Sequence, residues 1–568
     1  MRPDDLALLR TPGIPAVAPD GRIAVVAVTR PDVGENGYRG RLWAVPTDAS
    51  APARPLTSGG CASHPAFSPD GRWLAYLAAA DSGPPQVHVL PTAGGAPRRL
   101  TGAPLGAGAP VWSPDSRRLA WTAPTGGPAD PDAPRLITPR RSRPDDLGPL
   151  ADRRSSVHVL DLPDLLADDD AVLPVPRLVG DPDDDCTGVT WSPDGAALAV
   201  VARRAAGSLA DLVVVRADGS DARRLVSGAA VGGSPAWAPS GDHVWLVTAD
   251  APGEASLCRV PVDGGTPEPV PVHGAVVAGP LVDGRGILVG VARRGAVELL
   301  RLLPAGGDPE VLVEGPFTVR GVASAGGVVV ATVGHDGSAG ELIAVTPGRR
   351  RLLTAFGSPL AATGRVHRAT PLAASAADGS PAAGRVTVPP GAGPHPVLLH
   401  VRPGNGGWVL DDDVQVAVTG GLAVVQADEG DADAVLALLD AALEDPRLDA
   451  GRVGVAGGAL AVELIRRSDR FAAAVLEFAP PDDPPADAVA APTLVVCGER
   501  DLRGPGIAFS AELERRGVDT ELLLFPAEGA DLARSGRTAA RVARHEHLLR
   551  WWARQLGAAD RHRGRRTH

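Results

Sequence analysis

Lysine is missing from this chain, so the 56 basic side chains are all arginine, set against 67 acidic ones for a net charge of −11. An excess of acid argues against nucleic acid or an anionic membrane surface as the main partner. The arginine bias accompanies high alanine, glycine and proline content and reads as genome composition rather than function. Cysteine is scarce too. Cys61, Cys186, Cys258 and Cys497 are widely separated and form no Cys-x-x-Cys pattern, which argues against a zinc or dithiol redox motif and leaves thiols expected to be mostly buried. No metal site and no cofactor is expected. Long apolar runs are also lacking. Met1 to Arg10 holds no apolar core long enough for a signal peptide, and no later run free of charge or turn residues approaches membrane-spanning length, so a cytoplasmic location is expected. What remains is 44% hydrophobic and 22% charged, a globular composition with little room for extended disorder. A length of 568 residues calls for at least two domains.

One phrase recurs through the first two thirds: small residues, an apolar or aromatic residue, a Ser-Pro-Asp-Gly type turn, then an apolar strand. It stands at Ala18-Pro-Asp-Gly21, Phe67-Ser-Pro-Asp-Gly71, Trp112-Ser-Pro-Asp-Ser116, Trp191-Ser-Pro-Asp-Gly195 and Trp237-Ala-Pro-Ser-Gly241, with eroded copies near Asp283 and Ser324. Proline sets its own φ and glycine supplies a left-handed position, so each copy reads as a hairpin. A third and a fourth strand follow, as in Gln86–Leu90 and Arg98–Thr101. Four strands per unit at a spacing of roughly 42 to 50 residues predicts a β-propeller of seven blades with WD40- or TolB-like repeats over residues 1–364. Trp112, Trp191 and Trp237 share one repeat position and are expected in the core between blades. The spacing breaks once, at an insertion over residues 124–156 that carries Arg140-Arg-Ser-Arg143, Asp145-Asp146 and Arg153-Arg154. It reads either as a solvated charged loop or as a loop over the central pocket.

From about Gly364 apolar strands and amphipathic helices alternate, which predicts a mainly parallel, doubly wound sheet over residues 365–557. Strands are expected at His395–Val401, Gly421–Gln426, Phe471–Leu476, Pro492–Cys497 and Thr520–Phe525. A helix capped by Asp431 is expected to run to Glu444, and a last helix to end near Trp552. Residues 558–568 form a basic tail expected to be disordered. Between two of these elements lies Arg452-Val-Gly-Val-Ala-Gly-Gly-Ala-Leu-Ala-Val-Glu-Leu-Ile465, a strand, a glycine turn and a helix start, the outline of a nucleophile elbow.

This stretch resembles the Gly-Gly-Ser-Tyr-Gly-Gly elbow of the prolyl oligopeptidase family, in its acylaminoacyl-peptidase and dipeptidyl-peptidase-like branch. Gly457 and Gly458 are kept, and Ala459 stands where the family has its serine. Gly498-Glu-Arg-Asp-Leu-Arg-Gly-Pro505 resembles the family turn whose aspartate orients the catalytic histidine, which places Asp501 in that role. Phe525-Pro-Ala-Glu-Gly-Ala-Asp-Leu-Ala-Arg-Ser-Gly536 resembles the family's histidine loop, with Ala530 at the histidine position. The resemblance implies a propeller followed by an α/β-hydrolase domain of serine-type peptidases, with a cavity between them that could hold a peptide or metabolite. It also implies that Arg402-Pro-Gly-Asn405 replaces the family's oxyanion segment His-Gly-Gly-Pro. The Arg-rich insertion resembles a family stretch before a blade strand.

Acyl transfer needs a hydroxyl or thiol, an imidazole, a carboxylate and oxyanion donors. Of the three triad positions only Asp501 keeps its chemistry, and it could equally persist as an ordinary turn residue. No Gly-x-Ser-x-Gly occurs in the chain. Ser468, Ser535, Cys497, His545 and His547 are the candidate replacements, and each reads better as a structural or surface residue; His545-Glu-His547 is not a zinc motif. The leading expectation is a catalytically inactive pseudo-peptidase used in binding, regulation or assembly. The alternatives are an active peptidase or hydrolase with a non-standard site and a propeller interaction module. A homo-oligomer or a mixed oligomer with a complete subunit is compatible with each.

Overall fold

The computed structural model describes residues 1–79, 83–127, 154–162, 175–203, 209–249, 255–293, 295–304, 306–401, 407–477, 489–500, 506–529 and 531–557. Among the described residues up to Leu352, strands fall into seven successive groups of four, with antiparallel neighbours inside each group. The first is Ala16–Val17, Ile23–Asp32, Gly37–Pro46 and Arg54–Pro55; the last is Thr318–Ala325, Val328–His335, Ser338–Thr346 and Arg349–Leu352. Strand Arg223–Trp237 closes the fourth group and opens the fifth. In every group the repeated turn joins strands one and two, as its composition predicts. Its chemistry recurs: Ser68, Ser113 and Ser192 hydroxyls donate to Asp70, Asp115 and Asp194, whose carboxylates also accept the N–H groups of Arg72, Arg117 and Ala196. Where one copy has serine for glycine, Ser116 takes φ 60.

The three tryptophans are buried, and two of them tie successive groups together. Trp112 Nε1 donates to Ala66 O at 3.0 Å and Trp191 Nε1 to Val111 O at 3.1 Å, each acceptor lying on the first strand of the preceding group. The insertion falls between the second and third strands of the third group, Arg118–Pro124 and Ser155–Asp161; most of it lies outside the described residues. The first group packs on the last: Val17, Ala24, Val26 and Val28 share a core with Val330, Leu342 and Ala344, and Thr332 Oγ1 donates to Gly13 O at 2.7 Å.

Beyond Gly364 the chain builds an eight-stranded mixed sheet: β1 (Thr370–Ser375), β2 (Pro381–Thr387), β3 (His395–Val401), β4 (Ala423–Glu429), β5 (Leu448–Gly457), β6 (Phe471–Glu477), β7 (Thr493–Gly498) and β8 (Thr520–Phe525). Their order across the sheet is 1-2-4-3-5-6-7-8; β2 pairs antiparallel with β1 and β4, and the remaining pairs are parallel. The helices are α1 (Asp412–Thr419), α2 (Ala432–Leu443), α3 (Ala459–Arg467), α4 (Gly506–Arg515), α5 (Leu532–Ser535) and α6 (Thr538–Leu556). Helices α2, α3 and α4 cover one face and α1 and α6 the other. This explains the continuous apolar strands: Val397 and Leu399 enter one core while Leu398 enters the other. Asp431 caps α2 by accepting from Ala434 N at 2.9 Å. Strand β4 lies a few residues beyond the expected Gly421–Gln426, and β1, β2 and α1 were not anticipated. The residues of β1 are mostly exposed and α1 opens on two aspartates behind the Asp411 cap, so neither carries a strong apolar period.

Two contacts join the halves near the linker. Residues 1–9 pack with Leu360, Leu410 and Val416, and Asp5 pairs with Arg365. Asp336, in the turn between the second and third strands of the seventh group, meets Arg368 and accepts Ala369 N–H at 3.0 Å. Burial would raise the Asp336 carboxyl, but hydrogen bonds from His335, Arg368 and Ala369 N–H hold it down to about 2 from 3.8. A carboxyl lowered on folding contributes stability above its unfolded value and loses it as pH falls through the folded one. Between pH 3.8 and about 2 the parent is therefore expected to lose stability more steeply than an Asp336→Asn variant, measured by urea unfolding at each pH; parallel curves would remove this role.

Candidate functional site

At the end of β5 the chain passes straight into α3. Gly457 must be glycine, because a Cβ there would lie 2.0 Å from Val401 O on the neighbouring β3. Gly458 sits at φ −104, ψ −131 and offers no side-chain cap. Ala459 is left exposed at the tip. The structure thus builds the sharp strand-to-helix turn that the sequence predicts and presents a methyl group on it. Ala459 is the first residue of α3 and is not among the residues with positive φ, so its backbone is ordinary helix rather than the strained turn that displays an attacking hydroxyl.

Asp501, Ala530 and the segment Arg402–Asn405 lie outside the described residues. Their flanks do meet. Arg500 N donates to Glu528 O at 2.8 Å, Glu499 N to Phe525 O at 3.0 Å and Ala527 N to Glu499 Oε2 at 3.1 Å, and a Cβ on Gly498 would lie 2.4 Å from Glu528 O. The turn after β7 and the loop after β8 therefore leave the sheet side by side. Glu528 is buried and is braced by Arg537, Nε to Oε1 2.7 Å.

The candidate replacements take structural places. Ser468 ends α3, and Ser535 Oγ donates to Asp531 Oδ2 at 2.7 Å. Cys497 is half-buried and lies against Gly506. Cys186 and Cys258 are buried and Cys61 is exposed; burial and the neighbouring Asp184 and Asp185 push the Cys186 thiol up to about 12. His547 is exposed. His367 Nε2 lies 3.2 Å from Thr419 Oγ1, but Thr419 ends α1, which runs back toward the amino ends of the strands. His64 and Ser63 are adjacent at 3.0 Å in the second strand group.

His545 belongs to a buried charged network that sequence reasoning missed. Its Nε2 lies 2.8 Å from Asp413 Oδ1 and 3.5 Å from Asp412 Oδ2. Arg544 donates to both oxygens of Glu477, at 2.8 and 2.7 Å, and also to Asp413. Arg541 meets Asp412 at 2.6 Å and Tyr38 OH at 3.1 Å. Burial opposes the Arg541 charge, but Asp412 and Tyr38 outweigh it and raise its pKa. Asp412 and Asp413 stand in the first turn of α1, where Asp411 caps the helix through Asp413 N and Val414 N, a position that favours negative charge. The available signal was the spacing of Arg541, Arg544 and His545, which share one face of α6, opposite a run of three aspartates. Asp412, Asp413 and His545 lie close enough to hold a metal ion, but the two arginines already neutralise the carboxylates. Beside the network a cavity of ≈ 30 Å³ is lined by His400, Asp413, Gly457, Glu477, Arg544 and His545 among others, room for a water of about 10–15 Å³ and not for a peptide.

The same helix ties the halves together. Tyr38 OH donates to Gly536 O at 2.8 Å, Thr538 Oγ1 to Asp32 O at 3.1 Å and Asn36 Oδ1 accepts from Ala539 N at 2.9 Å.

Solved structures share this layout over the full length. The Pyrococcus horikoshii acylaminoacyl peptidase superposes with a TM-score of 0.82 at 15% identity, covering 99% of this chain and 98% of that one. The chain has the fold of an acylaminoacyl peptidase. A Mycobacterium tuberculosis puromycin-hydrolyzing peptidase gives 0.72 at 19% identity over 99% and 97% of the two chains, and a prolyl endopeptidase 0.67 at 14% over 98% and 91%. These neighbours are two-domain proteins of the prolyl oligopeptidase family, and likeness at such identity speaks for the fold alone. A scan against protein-family models and a search of curated proteins find no match. Among the described residues no helix of this acylaminoacyl-peptidase fold is long and apolar enough to cross a membrane.

Proposed function

We propose that this chain is a prolyl-oligopeptidase-type protein whose seven-bladed propeller (residues 1–364) and α/β-hydrolase domain (365–557) persist without peptidase chemistry, as a protein that binds a peptide or small metabolite or assembles with a complete relative. The observation that carries the reading is the exposed methyl of Ala459 on an unstrained helix start. The sequence strengthens it. Residues 402–406, 478–488, 501–505 and 530, the segments that follow the strand ends outside the described residues, contain no serine, threonine, cysteine, tyrosine, histidine or lysine. No hydroxyl, thiol, imidazole or amine can therefore come from them, wherever they lie. Asp501 in this reading is retained without catalytic duty.

Incubating the pure full-length protein with a fluorophosphonate probe tests the proposal. No labelling is expected, beside strong labelling of an active serine hydrolase run in parallel. Labelling abolished by a single substitution in this chain would overturn it.

A further inference from the structure

At one position of the repeat the fourth group departs from the two before it. On the second strand, the same distance beyond the turn proline, stand Tyr76 after Pro69, Trp121 after Pro114 and Val200 after Pro193. Each pairs across to the third strand, Tyr76 with His88, Trp121 with His158 and Val200 with Val213. In the second and third groups the pair is therefore two rings, with centroids 5.7 Å apart in both and the Trp121 and His158 planes within 8° of parallel. Tyr76 shares a core with Val25, Ala27 and Leu42 of the first group, and Trp121 with Leu77, Val87 and Val89 of the second. The position thus faces the preceding group and fills the junction with it. Val200 and Val213 face the third group in the same way, against Val157 and Val159, but two valines replace two rings.

A cavity of ≈ 130 Å³ opens at this junction, and Val179, Cys186, Val200, Val213 and Val215, all buried, form its apolar wall. The Cys186 thiol, held neutral by burial and the acids beside it, behaves there as a small hydrophobe. Exposed Gly180 and Ala222 lie on its outer side, which gives a way in. Asp184 and Arg224 line the polar end, and there Arg224 Nη2 donates to both oxygens of Asp184 at 3.0 Å while Nη1 donates to Asp211. These charges are turned on each other, so nothing rewards burying a third one beside them. An apolar cavity of about 150 Å³ takes up benzene in another protein, and side chains around such a space lack the dispersion contacts that a ring would supply.

We propose that the junction between the third and fourth strand groups is a binding site for a small neutral aromatic molecule, a single ring of phenol size, seated between Val200, Val213 and Cys186 in the place that Tyr76 or Trp121 occupies in the groups before. The site belongs to the first half of the chain and is separate from the elbow at Ala459.

Fluorine NMR titration of the full-length protein with 4-fluorophenol tests the site, with 4-fluorobenzoate as the charged control and Val200→Phe and Val213→Leu variants alongside. The phenol is expected to bind the parent saturably with a Kd on the order of 1 mM and at least tenfold more tightly than the benzoate. Val200→Phe, which puts a ring back into the junction, is expected to erase binding. Val213→Leu adds a single methylene and is expected to weaken it severalfold, which keeps the test decisive if the larger side chain prevents folding. A ring bound elsewhere on the protein would be indifferent to both substitutions. No saturable signal from the parent up to about 10 mM phenol, equal binding of phenol and benzoate, or parent-like binding in either folded variant overturns the proposal.

Discussion

A chain carrying Ala459→Ser together with Ala530→His is expected to label with fluorophosphonate weakly at most, and to hydrolyse an amide chromophore orders of magnitude more slowly than a working serine peptidase. Nucleophile and base act as a unit, so that losing either costs about as much as losing both, on the order of 10⁶ in kcat in a well-studied serine protease. Restoring both is the minimum. Two further deficits remain. Arg402-Pro-Gly-Asn405 replaces the segment expected to carry an oxyanion donor, and one such donor is worth about 10²–10³ in rate. The tip residue also begins α3 in ordinary helical backbone, so a serine placed there lacks the strained turn that exposes the hydroxyl. Labelling at the level of an active family member would mean that the cleft is intact and only two side chains were lost. That result would contradict the relaxed elbow.

Arg544→Met is expected to destabilise the second half by about 3–5 kcal/mol, the range for breaking a buried ion pair by removing one partner. Arg544 is 3% exposed at the side chain and serves two carboxylates, Glu477 and Asp413, themselves 10% and 9% exposed. Removing it leaves both in a site with too little water to solvate them, while the methionine fills much of the same volume. The loss is expected as a fall in the urea midpoint of α/β unfolding, read by the fluorescence of buried Trp551 and Trp552, whereas Arg550→Met, on the exposed Glu546 pair, shifts it by at most about 1 kcal/mol. If Arg544→Met unfolds within that same small margin of the parent, the network does not hold α1, β6 and α6 together as described.

Much of the architecture was legible because its signals are local. A Pro-Asp-Gly turn between apolar strands sets a hairpin whatever surrounds it, and repeating it sets the number of four-stranded groups. The elbow was readable for the same reason: Gly457 and Gly458 sit where a strand meets a helix, and Ala459 follows. Helix α1 and strands β1 and β2 were missed because their residues lack a clear apolar period. The charged network was missed because its members come from α1, β6 and α6, with Asp413 and Arg544 131 positions apart, and no short-range pattern links them.

By itself the sequence determined that the chain is a run of seven repeated hairpin units followed by alternating strands and helices, and that alanine stands at 459 and 530, where the resemblance to the prolyl oligopeptidase family would place serine and histidine, since turn chemistry and side-chain identity need no partner to be read. Only the tertiary structure decided that the first and last units are neighbours, that the tip at Ala459 is unstrained, and that three acids, two arginines and a histidine meet beneath the sheet. Those facts depend on which distant segments pack together, and burial and charge act through space rather than along the chain.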